Sequence, residues 1–168
     1  MRPNQISASY LRNFVFGIED GLVSTVGLLS GIAITCVPKS TIILTGLVLI
    51  FVEAFSMAVG SLLSEHTAED YLKQSEAPFG HSFKSGLVMF FSYLFAGFIP
   101  LFPYLVLLVQ NAFWLSMVFS LITLFVLGVI GARISNVNVW RNSTRMVVIG
   151  GIAILIGVLV GRLGGSLG

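Results

Sequence analysis

Seven carboxylates are the residues of this chain best suited to chemistry: Glu19, Asp20, Glu53, Glu65, Glu69, Asp70 and Glu76. The first three sit inside long apolar runs, and the other four cluster in the polar stretch 64–85. An ionised side chain at the centre of a membrane helix costs about 2.5–3.5 kcal/mol on insertion scales, and by default such residues mark an ion or substrate path. No Lys, Arg or His lies in the interior of any apolar run. The buried acids must therefore hold protons, line water or bind a cation.

Their spacing narrows the chemistry. Gly17, Asp20, Ser24, Gly27 and Gly31 recur at intervals of three or four, which on a helix makes one small, polar stripe. Gly46, Glu53, Met57, Gly60 and Ser64 make a second. Two such stripes, each bearing a carboxylate, are expected to face one another. Counted from the ends of their apolar runs, Asp20 and Met57 both fall roughly 9 Å inside the same boundary at 1.5 Å per residue. A carboxylate oxygen and a thioether at one height suit a borderline divalent transition metal such as Fe(II), because oxygen supplies charge while sulfur disfavours Mg and Ca. Met57 also reads as a packing residue. Glu19 points about 100° away from Asp20 around the helix, toward the metal path or toward a headgroup or subunit interface.

Beyond the second apolar run, Ser64 to Tyr71 reads as a continuation of the same helix out of the membrane. Glu65 with Glu69, and His66 with Asp70, stand at i and i+4 there and share faces. Glu65, Glu69 and Asp70 are thus candidate metal ligands that concentrate cations at a pore mouth, with an ordinary solvated helix end as the alternative. His81 has no partner in the sequence and reads as a loop residue.

The elements that must position these groups follow from composition. Of 168 residues, 56% are hydrophobic and 10% charged, with a mean hydropathy of +0.99; soluble domains carry about 25% charged residues. So little charge cannot clothe a globular surface, which excludes water-soluble enzymes, basic nucleic-acid binders and disordered regulators. Five apolar runs, 14–36, 41–63, 86–109, 113–132 and about 146–161, read as membrane helices of one domain spanning 1–168. The fold class expected is an all-α integral membrane protein with five spans. The last run is short, and Arg145 and Arg162 lengthen it by snorkelling. Pro100 and Pro103 are expected to kink or unwind the third helix toward its far end.

With the N-terminus in the cytoplasm, Arg2, Arg12, Lys73, Lys84, Arg133, Arg141 and Arg145 lie inside, and only Lys39 and Arg162 lie outside. The net charge of +2 is then a consequence of topology. Residues 1–13 carry no short apolar core with a small-residue cleavage site, so no removable signal peptide is expected. An odd number of spans cannot divide into two equal inverted halves, so a two-fold pore requires a dimer. Cys36 stands alone, which leaves no disulfide framework, thiolate metal site or iron–sulfur cluster, and no resident cofactor is expected.

The segment Asn13-Phe14-Val15-Phe16-Gly17-Ile18-Glu19-Asp20-Gly21-Leu22-Val23-Ser24-Thr25 resembles the first-helix signature of the vacuolar iron transporter family. Ser56-Met57-Ala58-Val59-Gly60, followed by Ser64, resembles its second-helix signature. The Pro100 and Pro103 segment and the stretch from Trp140 through Arg145 to Gly161 and Arg162 are similar to the family's later spans. The resemblance implies a five-helix protomer that dimerises around a cation path, moving ferrous or manganous ions out of the cytosol in exchange for protons. It implies metal ligation by Asp20 and Met57. Many members carry a glutamate-rich helical domain between the second and third helices, for which 64–85 is too short. The family's second-helix carboxylate falls where this chain has Leu49, and Glu53 stands one turn before Met57 instead.

The expectation is thus a proton-coupled exporter of Fe(II) or Mn(II), not an enzyme, with Asp20, Met57, Glu53 and Glu19 on the path and Glu65, Glu69 and Asp70 recruiting at the mouth. Its partners are the metal ion, protons, the lipid bilayer and a second copy of the chain, with no nucleic acid. The missing loop domain and the lack of a targeting extension fit a prokaryotic plasma membrane. Two rivals are a small proton-coupled exporter of organic cations, which predicts aromatic rings around the acids, and a non-transporting membrane interaction protein, in which the stripes only pack helices.

Overall fold

A computed structural model describes residues 3–75 and 78–166, with side chains from residue 8 onward. Arg2 and Glu76, counted above among the cations and carboxylates, lie outside the described residues. The chain forms five helices in sequence: α1 (Pro3–Ala33), α2 (Lys39–Lys73), α3 (Phe79–Val106), α4 (Val109–Ile134) and α5 (Val139–Gly165). All five contain stretches long and apolar enough to cross a membrane. Helix is the form such runs must take, because each backbone N–H and C=O in lipid has to be satisfied within its own segment.

Short links reverse the chain at every turn. Pro38 and Pro78 precede α2 and α3 at their N-caps, where a missing N–H costs nothing. The Asn138 side chain accepts from the Arg141 N–H at 3.1 Å to cap α5. Cys36, Gln74 and Asn136 take positive φ just after α1, α2 and α4, so three left-handed stops are made without glycine. The alternation gathers Arg12, Lys73, Lys84, Arg133, Arg141 and Arg145 at one end of the bundle, called here the cationic end. Lys39 stands at the other end, where its Nζ donates to the Leu105 carbonyl at 3.2 Å.

The bundle is apolar outside and small or hydroxylated inside. Phe51, Phe55, Phe95 and Trp114 are exposed, while Ser82, Ser85, Ser116, Ser120 and Ser143 are buried. Lipid tails are as apolar as leucine, so helices associate through close packing and interhelical hydrogen bonds. Ser116 of α4 donates to the Pro100 carbonyl of α3 at 2.7 Å, and Asn142 of α5 donates to the Gly128 carbonyl of α4 at 2.8 Å. Apolar clusters fill the remainder, one around Leu29, Ile50, Leu101 and Tyr104 and another around Leu22, Ala96, Leu124 and Met146.

Helix α1 is the hub: it packs chiefly on α3 and α5, and only lightly on α2, which leans on α3. The glycines of the two small stripes therefore do not pack on one another as expected. Gly17 and Gly21 lie against α3, Gly27 and Gly31 lie against α5, and nothing comes within 4 Å of a Cβ placed on Gly60 of α2. Three helices compete for the small faces of α1, and its close backbone approaches go to α3 and α5.

The helix limits also differ from the apolar runs. Helix α2 is 35 residues long, about 52 Å at 1.5 Å per residue, so its last turns project beyond a hydrocarbon core of about 30 Å. Helix α3 stops at Val106, and Gln110 and Asn111 fall in the first turn of α4, where unpaired backbone N–H groups favour polar surroundings. The chain does not unwind at the prolines: α3 runs through both, and the Leu107 N–H bonds the Pro103 carbonyl at 2.9 Å. Helix α5 takes in Arg145 and Arg162, giving 27 residues where the apolar run alone is short.

A Cβ on Gly21 would fall 2.7 Å from the Tyr93 carbonyl oxygen, and one on Gly31 would fall 2.6 Å from that of Gly157. Gly21→Val and Gly31→Val are each expected to cost about 1–3 kcal/mol by overpacking. Gly60→Ala should leave stability within about 1 kcal/mol of wild type. Thermal melting of the detergent-solubilised protein checks the contrast.

Candidate metal-transport site

Asp20 of α1 and Glu53 of α2 lie within electrostatic reach of one another, both half-buried. Tyr93 of α3, fully buried, is within reach of both. Among the described residues, no side chain hydrogen-bonds either carboxylate and no ion pair neutralises one. Asp20 also opens onto a groove of about 600 Å³ that follows α1 from Asp20 to Thr35, walled by Leu49 of α2 and by Ala153, Ile156 and Gly157 of α5. No aromatic residue lines that groove.

Met57 stands elsewhere. It lines a second cleft, of about 670 Å³, with Arg12, Asn13 and Phe16 of α1, Ser61 and Ser64 of α2, and Met89 of α3. Counted from the Arg12–Glu65 contact, Asp20 and Met57 each stand eight residues along the antiparallel helices. They line different clefts, with Glu53 one turn from Met57 and within electrostatic reach of Asp20. Leu49, one turn beyond Glu53, lines the Asp20 groove.

Glu19, half-buried, lies within electrostatic reach of Arg145 of α5 and of Asp20. Arg145 flanks the fifth apolar run and is taken into α5, which starts at Val139.

At the cationic end, the face of α2 that carries Glu65 and Glu69 is buried against its neighbours. The Arg12 guanidinium donates to Glu65 at 2.8 Å, Lys73 Nζ lies 3.5 Å from Glu69, and His81 Nδ1 pairs with the other Glu69 oxygen. His81 is thus no loop residue: it lies in the first turn of α3 and ties that helix to α2. Nor is this an ordinary solvated helix end, since Glu69 is 3% exposed and Glu65 7%. Ligand atoms of Glu65, Glu69 and His81 converge within 4.8 Å of one another, but Arg12 and Lys73 already balance both carboxylates. Asp70 stays on the more open face, with His66 Nε2 at 3.7 Å.

The helices that place these groups match a known family over nearly the whole chain, across residues 11–78 and 73–162. The chain belongs to the VIT family. The two matched segments meet at 73–78, the turn between α2 and α3, as befits a short form of the family. No curated protein matches the chain. VIT membership and five apolar helices together make this a multi-pass membrane protein of an ion-transporting family.

Sequence reasoning missed Tyr93, Met89, His81 and Arg145, all supplied to the α1–α2 seam or to α1 by α3 and α5. Tyr93 carried a usable signal, since a phenol in a phenylalanine-rich span needs a polar partner. His81 carried none, because its partner lies twelve residues away across a turn.

Among the described residues, Glu65 has Arg12 alone, whereas Glu69 has both His81 and Lys73. Arg12→Ala should therefore lower the melting temperature more than Lys73→Ala does. Because Arg12 is largely in water, the Arg12–Glu65 coupling in a double-mutant cycle should be about 1 kcal/mol. Adding Glu65→Gln to Arg12→Ala should restore part of the loss by removing the orphaned charge.

Proposed function

We propose that this VIT-family protein exports a divalent transition metal, Fe(II) or Mn(II), from the cytosol in exchange for protons. The observation that carries the reading is the pair Asp20 and Glu53: two carboxylates from different helices, within electrostatic reach of one another inside apolar spans, with no hydrogen-bond donor or cation engaging them among the described residues. Two adjacent negative charges in a low-dielectric setting require either protons or a cation. Alternation between those two states is what proton-for-metal exchange requires. Asp20 is the metal ligand, and Glu53 a second ligand or the proton carrier.

Met57, one turn from Glu53 toward the cationic end, supplies a thioether on the same seam, and Met89 across the same cleft supplies another. Softness at that station favours Fe(II) and Mn(II) over Mg and Ca. Glu19, offset by Arg145, lies beside the path. Asp70 keeps the recruiting role at the mouth, while Glu65 and Glu69 are held by Arg12, His81 and Lys73 and contribute less to it. The outward face of α2 beside Glu53 and Met57 exposes Phe51, Val52 and Phe55, and a second copy of the chain would close the path there. In this reading the cationic end and the N-terminus face the cytoplasm. The short α2–α3 turn, without an intervening domain, fits a prokaryotic plasma membrane. The lack of aromatic walls in the Asp20 groove favours a bare ion over a lipophilic organic cation.

Proteoliposomes test this directly, with Fe(II), Mn(II) and Zn(II) uptake compared under an imposed pH gradient at matched membrane potential. Asp20→Asn should slow transport by at least about tenfold, the scale on which even the partners of metal ligands matter. Glu53→Gln should weaken the dependence on the pH gradient. Transport by Asp20→Asn at the wild-type rate would defeat the ligand assignment, and equal rates with and without the gradient would defeat proton coupling.

A further inference from the structure

The turn of α1 that carries Asp20 is held from α3 by two independent contacts. The first is backbone on backbone: Gly21 leaves so little room that a Cβ there would sit 2.7 Å from the Tyr93 carbonyl oxygen. The second is a chain of hydroxyls. Ser24 Oγ donates to the Asp20 carbonyl at 2.6 Å and lies 2.6 Å from the Tyr93 hydroxyl. A serine hydroxyl has one hydrogen, and here it is committed to Asp20, so Tyr93 must be the donor to Ser24. The sequence of bonds is therefore Tyr93 O–H to Ser24 Oγ, and Ser24 O–H to the Asp20 carbonyl.

Two consequences follow. The Tyr93 proton is used on Ser24, so the phenol does not hydrogen-bond the Asp20 or Glu53 carboxylate, although it lies within electrostatic reach of both. In addition, Ser24 takes up a lone pair of the Asp20 carbonyl in the back-bonded geometry that bends helices slightly, and Tyr93 fixes the Ser24 rotamer from across the α1–α3 contact. Tyr93 is fully buried, so water reaches this bond only from the Ser24 side, which lines the Asp20 groove.

We propose that Tyr93 is a positioning residue for the metal site: through Ser24 it fixes the α1 turn that presents Asp20 to Glu53, and so tunes how tightly the cation is held. This rests on the reading of Asp20 as a metal ligand. A ligand held by such supporting bonds is pre-organised, and loosening it weakens binding without removing a ligating atom.

The test is transport kinetics in proteoliposomes with Mn(II), using wild type, Tyr93→Phe, Ser24→Ala, Ser24→Thr, the Tyr93→Phe/Ser24→Ala double variant and Asp20→Asn. Loss of one buried hydrogen bond predicts a rise in KM of about three- to tenfold for Tyr93→Phe and for Ser24→Ala, with maximal rate within about twofold of wild type. The double variant should be no worse than either single, because both break one linkage. Ser24→Thr keeps the hydroxyl and should keep the wild-type KM. Should Tyr93→Phe not be recovered folded, the Ser24→Ala and Ser24→Thr pair makes the same comparison.

A wild-type KM in Tyr93→Phe and Ser24→Ala, alongside a crippled Asp20→Asn, overturns this inference and leaves the transport reading standing. Effects of the two singles that multiply in the double variant, or that fall on maximal rate with KM unchanged, overturn it as well. Asp20→Asn transporting at the wild-type rate, or wild type moving no Mn(II) or Fe(II), overturns both.

Discussion

The structure depends on how closely other helices can approach α1. Lipid gives helices no hydrophobic reason to associate, so the bundle must be held by contact and by hydrogen bonds between segments. Helix α1 supplies the contact by omission, with Gly17 and Gly21 bared toward α3 and Gly27 and Gly31 bared toward α5. Hydroxyls supply the bonds, from Ser24 to Tyr93 and from Ser116 to Pro100. Asp20 stands beside Gly21, within the first glycine pair, so its turn is set by α3 backbone that cannot move aside. Side chains on those faces would have separated the helices and freed the carboxylate to find water.

Against that firm hub, α2 is held differently. It leans on α3 and meets α1 lightly along its length, while its projecting end is fastened by Arg12 to α1 and by His81 to α3. Ion pairs whose cations reach water add little stability, but a slip of one turn would leave the buried carboxylate of Glu65 or Glu69 charged and alone. That fastening sets which residues of α2 stand opposite Asp20. Counted from the Arg12–Glu65 contact, Asp20 and Met57 each lie eight residues along their antiparallel helices, with Glu53 one turn further on.

The fold was legible in the sequence where one property decided it. Five apolar runs separated by polar breaks gave five helices, since lipid permits no other backbone arrangement for isolated spans. The projection of α2 was readable from the i, i+4 pairing of its acids. What failed were inferences requiring knowledge of the neighbours. Glycine periodicity showed that α1 had bare faces and could not say that α3 and α5 would take them. Depth counted from the run ends could not say that Asp20 and Met57 would line separate clefts, because the walls of each cleft come from other helices. His81 and Arg145 looked partnerless or peripheral, since charge partners across a bundle leave no local periodicity. Glu65 and Glu69 were visible as a shared face, but their burial depended on Arg12 and His81 arriving from two other helices.

The division between a rigid α1 and a lightly packed α1–α2 seam bears on what transport would ask of this molecule. A cation must be bound firmly enough to select it and loosely enough to release it, which one rigid cage does poorly. In the proposed reading the two demands fall on different helices. Helix α1, clamped between α3 and α5, presents Asp20 in a fixed place, and the selectivity of that group comes from its immobility. Helix α2 carries Glu53 and Met57 along a seam that meets α1 lightly, while its other side packs closely on α3. A dimer partner on the exposed face of α2 would act on the half of the site that α2 carries. Release would then be governed by the contact that α1 does not make.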